Sequence, residues 1–387
     1  MNSPNKYKIV FCTPALYSAG GTERVVAYKA SFFAERLGYD VTVIVTEGSG
    51  NKTFFPLSDK VNVVNLGVNF EEIWHKSFIR KVLAYLKKQH IYRKKLKKEL
   101  IRIHPDITIS TLRREVNFIH EINDGSIKIG ELHLSRNYYR RNEKYDSNII
   151  KKIFYKWWRG DIVKQLKKLD CVVFLTDCAA NEWHELTNKV VIADPLPIKV
   201  TYNSSSNYKK VIAVGRYSYE KGYDLLLKIW SVVEKRCTDW ELNIYGMGDP
   251  SPYVKYLTEL SIDKNRCHLN ACVVDVSKVY GNSSILVLPS RTEGFGLVLL
   301  EAMAHSLPIV SFDCENGPRT IISDGKDGIL VPPFDLNRFS EQLIRLMEDE
   351  ELCKKMGNNG KSKSKHYDME VIAFQWKSLF DDLMHNR

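Results

Sequence analysis

The sequence predicts an α/β protein built as two doubly wound parallel-sheet domains in tandem. Short apolar, β-branched runs alternate with segments of helical periodicity, as in a parallel sheet covered by helices. The alternation breaks at Asp194-Pro195-Leu196-Pro197 and the polar stretch Thr201 to Lys210, then restarts. The length of 387 residues suits two cores of ordinary size. A composition of 44% hydrophobic and 27% charged residues excludes a disordered chain.

The elements follow in order. The first half carries strands at Lys8–Cys12, Val41–Val45, Val61–Val64, Ile107–Ser110, Lys128–Leu132 and Cys171–Leu175, with a helix over Thr22–Leu37. The second half carries strands at Val211–Val214, Glu241–Tyr245, Cys267–Leu269, Ser284–Leu288, Pro308–Phe312 and Gly328–Val331, with a helix over Tyr223–Lys235. A last helix, about Met369 to His385, sets Ile372, Trp376, Leu379 and Phe380 on one stripe that needs a surface to cover. The expected division is a first domain over 1–200, a second over 201–365 and a terminal helix over 366–387.

Bulk properties narrow the classes. The net charge is +11 and the pI about 9.0, which leaves nucleic acid, an anionic membrane surface and phosphorylated substrates as partners. No zinc-finger, RNA-recognition or helix-turn-helix signature supports nucleic acid. The eight cysteines are scattered without a C-x-x-C pair, so they read as buried thiols in a reducing compartment. Cys267, His268 and Cys272 fit no common zinc spacing. The polar N-terminus runs into Ile9-Val10-Phe11, too short a run for a signal peptide or a membrane span, so the expected location is cytoplasmic.

Three loops offer chemistry. Ser18-Ala19-Gly20-Gly21-Thr22-Glu23-Arg24 joins a strand to a helix. Its glycines permit close backbone approach, and the helix N-terminus suits an anion. Taken alone, Gly20 and Gly21 serve a plain turn equally well. Val214-Gly215-Arg216 and Glu220-Lys221-Gly222 bring two cations to a strand end, fit for a diphosphate or for a solvated surface. The most specific run is Leu288 to Ala304: strand, Gly-rich turn with Glu293, Gly294, Phe295 and Gly296, then a helix that starts near Gly296 and carries Glu301. Carboxylates there can accept hydroxyls of a sugar and a ribose. His133 ends a strand as a further candidate, with a satisfied structural histidine as the alternative and Glu131 and Ser135 as weaker choices.

These motifs, in this order, resemble family 4 retaining glycosyltransferases of the two-domain, Rossmann-like GT-B fold. Asp194-Pro195-Leu196, Gly325 and Gly328-Ile329-Leu330-Val331 extend the resemblance over nearly the whole chain. It implies a nucleotide-diphosphate sugar donor held in a cleft between the domains. Arg216 and Lys221 would bind the diphosphate, helped by amides of Phe295, Gly296 and Leu297 and by Gly21, with Gly20 and Gly294 close by. Glu301 would take the ribose, and Glu293 and His133 the transferred sugar. The base would lie near Ala271, Cys272 and Val273. The last helix would pack back on the first domain.

The resemblance implies transfer with retention to a glycan or lipid-linked saccharide, in surface polysaccharide synthesis. UDP is the expected carrier. No cofactor is expected, and no metal, because the chain lacks an Asp-x-Asp loop and its cations can replace one. The alternatives are another enzyme of the fold, such as a nucleotide-sugar epimerase or a phosphorylase, and a non-catalytic basic binding module.

A basic segment runs through Lys87, Lys88, Arg93, Lys94, Lys95, Lys97, Lys98 and Arg102, with Leu83, Leu86, Ile91, Leu96 and Leu100 interleaved. It reads as a helix for an anionic membrane, on the inner face, or as a solvated helix with a core stripe. Arg136 to Arg141, with Tyr138 and Tyr139, and Trp157-Trp158-Arg159 are candidates to line the acceptor side.

Overall fold

A computed structural model describes residues 6–133, 136, 162–200, 208–314 and 316–387. Ser135, Tyr138, Tyr139, Arg141, Trp157, Trp158, Arg159 and the linker residues 201–207 lie outside the described residues. The chain divides into two compact units, Met1–Ala193 with Met369–Arg387, and Asp194–Asp368.

The first unit runs β1 (Lys8–Thr13), α1 (Gly21–Glu35), β2 (Asp40–Val45), β3 (Val61–Asn65), α2 (Phe78–Ile103), β4 (Ile107–Ser110), β5 (Ile127–Leu132), α3 (Ile162–Leu166), β6 (Cys171–Phe174), α4 (Asp177–Glu182) and β7 (Lys189–Val191). Among the described residues, its seven strands pair in parallel in the order β3-β2-β1-β4-β5-β6-β7. Side chains alternate across a strand. In β1, Ile9 and Phe11 therefore enter one apolar layer, and Val10 and Cys12 enter the other. Both faces are covered, which is why the strand reads as a continuous apolar run. The short edge strand β7 has no place among the sequence-predicted strands. Its three residues, Lys189-Val190-Val191, are too few for a pattern, and β6 alone pairs with it.

The second unit runs β8 (Lys210–Val214), α5 (Tyr223–Arg236), β9 (Glu241–Gly246), α6 (Ser251–Glu259), β10 (Cys267–Ala271), α7 (Val276–Gly281), β11 (Ile285–Leu288), α8 (Leu297–Ala304), β12 (Ile309–Phe312), α9 (Gly317–Ile321), β13 (Ile329–Val331), α10 (Leu336–Glu348) and α11 (Glu350–Ser364). Among the described residues, its six parallel strands lie in the order β10-β9-β8-β11-β12-β13. The order reverses between β8 and β11, and such a reversal opens a crevice at the carboxyl ends of the strands.

The final helix, α12 (Met369–His385), belongs to the first unit. It buries Ile372, Trp376, Leu379 and Phe380 in the layer that holds Phe11 and Phe33. Phe380 meets Phe33 edge-on at 5.8 Å, and the Tyr7 hydroxyl donates to Asp381 at 2.6 Å. The apolar stripe thus has its partner surface.

The stripe of α2 divides. Tyr92, Leu96 and Leu100 enter the core, whereas Leu83 and Leu86 are exposed, with Ile79 one turn before them.

Trp376 is 1% exposed and fills the space under α12. Trp376→Ala is expected to destabilise the first unit by about 3–5 kcal/mol, the usual cost of emptying a large core position. Urea denaturation followed by far-UV circular dichroism checks this, and a change below about 1 kcal/mol would show that α12 does not hold the unit together.

Candidate active site

In the second unit, β8 and β11 are neighbours, with Val211 beside Ile285 and Ile212 beside Leu286. Their following loops consequently emerge together, about 75 residues apart in sequence. Gly222 has φ +67°, and a Cβ there would stand 2.1 Å from the carbonyl oxygen of Pro289, so only glycine permits this approach. Arg291 fastens the two loops. Its amide donates to the Glu220 carbonyl at 2.8 Å, and its guanidinium forms a two-pronged pair with Asp224 at 2.8 and 2.7 Å. Sequence reasoning did not single out Arg291. The signal that could have found it is its place beside Ser290 in the Gly-rich run.

Lys221 and Glu293 meet at this junction. Lys221 Nζ donates to Glu293 Oε1 at 2.7 Å, and the Ser290 hydroxyl donates to the same oxygen at 2.6 Å. Glu293 is buried and Arg216 exposed. Gly294 and Phe295 follow, and Gly296, at φ +93°, caps α8 in the left-handed region. Gly317 lets the turn pack, since a Cβ there would lie 2.2 Å from the Phe295 carbonyl oxygen. α8 starts at Leu297, after the turn that follows β11, and the amides of its first turn make an electropositive end suited to a phosphate.

Glu301 is also buried and accepts from the Tyr280 hydroxyl at 2.8 Å. Cys272 and Val273 are exposed just after β10, and α7 begins three residues later. Arg216, Lys221, Glu293 and Glu301 therefore share one unit, on segments that follow β8 and β11.

The first unit holds the remaining candidates. Gly20 caps α1 and Gly21 starts it. The Ser18 hydroxyl donates to Glu23 Oε1 at 2.9 Å, and a Cβ on Gly20 would lie 2.0 Å from Glu23 Oε2. The glycine turn is closed by that acidic side chain, which also complements the positive end of α1.

His133 follows β5, with Nε2 3.6 Å from Glu131 Oε2. Glu131 is fully buried and pairs with Lys29, itself buried, whose ammonium stands 4.8 Å from the centre of the Trp376 ring. Burial pushes the Glu131 carboxyl up, but Lys29 and His133 outweigh it and hold the group below its ordinary value of 4.5. Lys29 was legible only as an oddity, a lysine on the buried face of α1 between Val26 and Phe33.

A second pair, also missed, joins half-buried Arg114 to buried Glu47 near the ends of β4 and β2, where burial lowers the Arg114 guanidinium to about 10. Arg136, the described member of the basic-aromatic stretch, pairs with Glu185 at 2.8 and 2.6 Å.

Residues 197–363 match the family model Glycosyl transferases group 1. The match falls within the second unit, Asp194–Asp368. An uncharacterized glycosyltransferase of Haemophilus influenzae is 29% identical over 376 residues, covering 96% of this chain and 99% of that protein. The amylovoran biosynthesis glycosyltransferase AmsD of Erwinia amylovora is 34% identical over 178 residues, covering 44% of this chain and 48% of its own length. The chain thus spans nearly all of the first relative and about half of the second. Among solved structures, sucrose-phosphate synthase of Thermosynechococcus elongatus superposes with a TM-score of 0.81 at 17% identity, over 99% of this chain and 100% of that one. S. aureus TarM, crystallised with UDP among its ligands, gives 0.78 at 16% identity, over 97% of this chain and 99% of that one. These matches establish the GT-B fold, with two Rossmann-like parallel-sheet domains.

The Glu131 carboxylate contributes its stability fully above pH 4.5, and that contribution is lost as pH falls from there toward the depressed folded value. Lys29→Met strands the buried carboxylate and is expected to cost about 3 kcal/mol or more at neutral pH. The deficit should narrow at pH 3, where the wild-type pair is itself weakened. Urea denaturation at the two pH values tests this, and a deficit independent of pH would count against the pair.

Proposed function

We propose that the chain is a retaining, metal-independent glycosyltransferase of family 4 type. It moves a sugar from a nucleotide-diphosphate donor, with UDP as carrier, to a hydroxyl of a glycan or lipid-linked saccharide in surface polysaccharide synthesis. The observation that carries this reading is the Lys221–Glu293 pair beside the start of α8, within the matched domain. It sets a cation and helix amides where a diphosphate would gain charge, with a carboxylate for sugar hydroxyls alongside.

Relatives support the wider class. One is named a poly(glycerol-phosphate) alpha-glucosyltransferase in Bacillus subtilis, another a poly(ribitol-phosphate) alpha-N-acetylglucosaminyltransferase in Staphylococcus aureus. The alpha linkage in both names agrees with retention from an alpha-linked donor. The pneumococcal transferase GtfA was crystallised with UDP and GlcNAc.

In the proposed reaction the bond from the anomeric carbon to the leaving phosphate oxygen breaks. The acceptor oxygen bonds to that carbon on the same face, and its proton passes to the departing phosphate. Arg216, Lys221 and the amides of Phe295, Gly296 and Leu297 stabilise the growing negative charge, which is electrostatic catalysis. Glu293 accepts from sugar hydroxyls and positions the ring, Glu301 takes the ribose, and the loop with Cys272 and Val273 takes the base. His133 is assigned a sugar contact, and Gly20 and Gly21 the diphosphate.

The exposed first half of α2 supports peripheral binding to an anionic membrane. Ile79, Leu83 and Leu86 fall on one line at helical spacing, flanked by exposed Arg80, Lys87 and Lys94, and Trp74 is exposed just before the helix. Among the described residues no helix is long and apolar enough to cross a membrane.

Release of nucleoside diphosphate from a panel of sugar nucleotides should persist in excess chelator. Arg216→Ala and Lys221→Ala should each reduce it about a hundredfold or more, the usual loss when a transition-state charge partner is removed. Loss of activity in chelator, restored by manganese, would overturn the metal-independent reading. In liposome flotation, vesicles rich in phosphatidylglycerol should carry the protein at moderate salt, and Leu83→Ser with Leu86→Ser should release it. Flotation indifferent to those changes would remove α2 as the docking element.

A further inference from the structure

Around Glu301 lie buried polar groups, Ser277, Tyr280 and His305, to which the proposed reaction gives no role. Tyr280 and His305 are 0% exposed, Ser277 4% and Glu301 2%. Ser277 and Tyr280 stand on α7, and Glu301 on α8, which His305 ends. His305 Nδ1 lies 2.7 Å from the Glu301 carbonyl oxygen, so it must carry the proton and donate. Nε2 is then the acceptor, and the Ser277 hydroxyl donates to it at 2.7 Å. Burial lowers the His305 imidazole from its ordinary value, in keeping with this neutral tautomer. The Tyr280 ring lies over the His305 ring at 5.3 Å, and its hydroxyl donates to Glu301 Oε2 at 2.8 Å.

The set ties two stretches together. The start of α7 lies three residues beyond Val273, in the loop assigned to the base. Glu301 is the residue assigned to the ribose. A carboxylate that accepts from two neighbouring hydroxyls must be held in one rotamer, because a swing of about 1 Å loses both bonds. A buried hydroxyl donor on a neighbouring helix supplies that restraint, and its charge-assisted bond is stronger than a neutral one.

We infer that Tyr280 is a positioning residue for the nucleotide: held on α7 against His305, it fixes the Glu301 carboxylate so that the site tells a ribonucleotide from its deoxy counterpart. This inference rests on the assignment of Glu301 to the ribose.

The test is calorimetric titration of the full chain with UDP and with 2′-deoxy-UDP, for wild type, Tyr280→Phe and Glu301→Gln. Wild type should prefer UDP by about tenfold or more, the worth of one charge-assisted hydrogen bond. Glu301→Gln should abolish most of that preference. Tyr280→Phe should weaken both nucleotides through the 3′-hydroxyl bond they share, and UDP by about tenfold more than 2′-deoxy-UDP, so that the ratio collapses toward that of Glu301→Gln. A merely structural role would weaken both nucleotides alike, and that outcome overturns the inference. So does a wild-type ratio in a folded Tyr280→Phe. A wild type that prefers UDP, with Glu301→Gln retaining that preference, overturns the ribose assignment and this inference with it. No UDP binding by wild type overturns the choice of carrier, and the inference falls with that choice. Near-UV circular dichroism and a thermal midpoint for each variant separate misfolding from altered recognition.

Discussion

Parallel pairing of β8 with β11 is the constraint on which the candidate site depends. It brings two loops from distant parts of the sequence out at one place and forces their backbones together. Gly222 packs against Pro289 too closely for any side chain. Once the loops share that place, Lys221 and Glu293 are within hydrogen-bonding distance, and Arg291 can reach back to Asp224. Ion pairs between exposed side chains contribute little. These are half-buried or buried, and they are oriented by further donors such as Ser290. The fold supplies the geometry, and the side chains keep it.

The first unit follows the same logic with a different emphasis. Its layers are filled by alternate residues of each strand, and the final helix completes one of them. The Lys29–Glu131 pair lies within that closed layer, under Trp376. A buried pair of this kind is weak evidence of net stability, because both charges must leave water. What it does provide is a fixed carboxylate beside His133. At the head of α1, Glu23 lies beside the glycine turn and accepts from Ser18.

Much of this was legible as pattern. Strands buried on both faces announce themselves as β-branched runs, and the long helices by their apolar spacing, so two parallel sheets followed from the sequence. The stripe of Ile372, Trp376, Leu379 and Phe380 called for a surface, and the first unit provides it. β7 was not legible, because three residues at a sheet edge leave no periodicity. Nor was the division of α2 legible. Periodicity shows that an apolar stripe exists, but not how far along the helix the core extends. Lys29, Arg114, Arg291 and Tyr280 escaped because their meaning lies in partners far away in sequence.

The sequence by itself determined the two-sheet architecture, the Gly-rich turn before α8 and the identity of the charged side chains around it. These are local properties, set by side-chain alternation, by the φ that only glycine readily adopts, and by the chemistry each residue carries. Tertiary structure alone decided which charges meet. Lys221 lies on Glu293, Tyr280 on Glu301 and Lys29 on Glu131. Those distances are fixed by strand order and helix packing, which depend on the whole core and on no single segment.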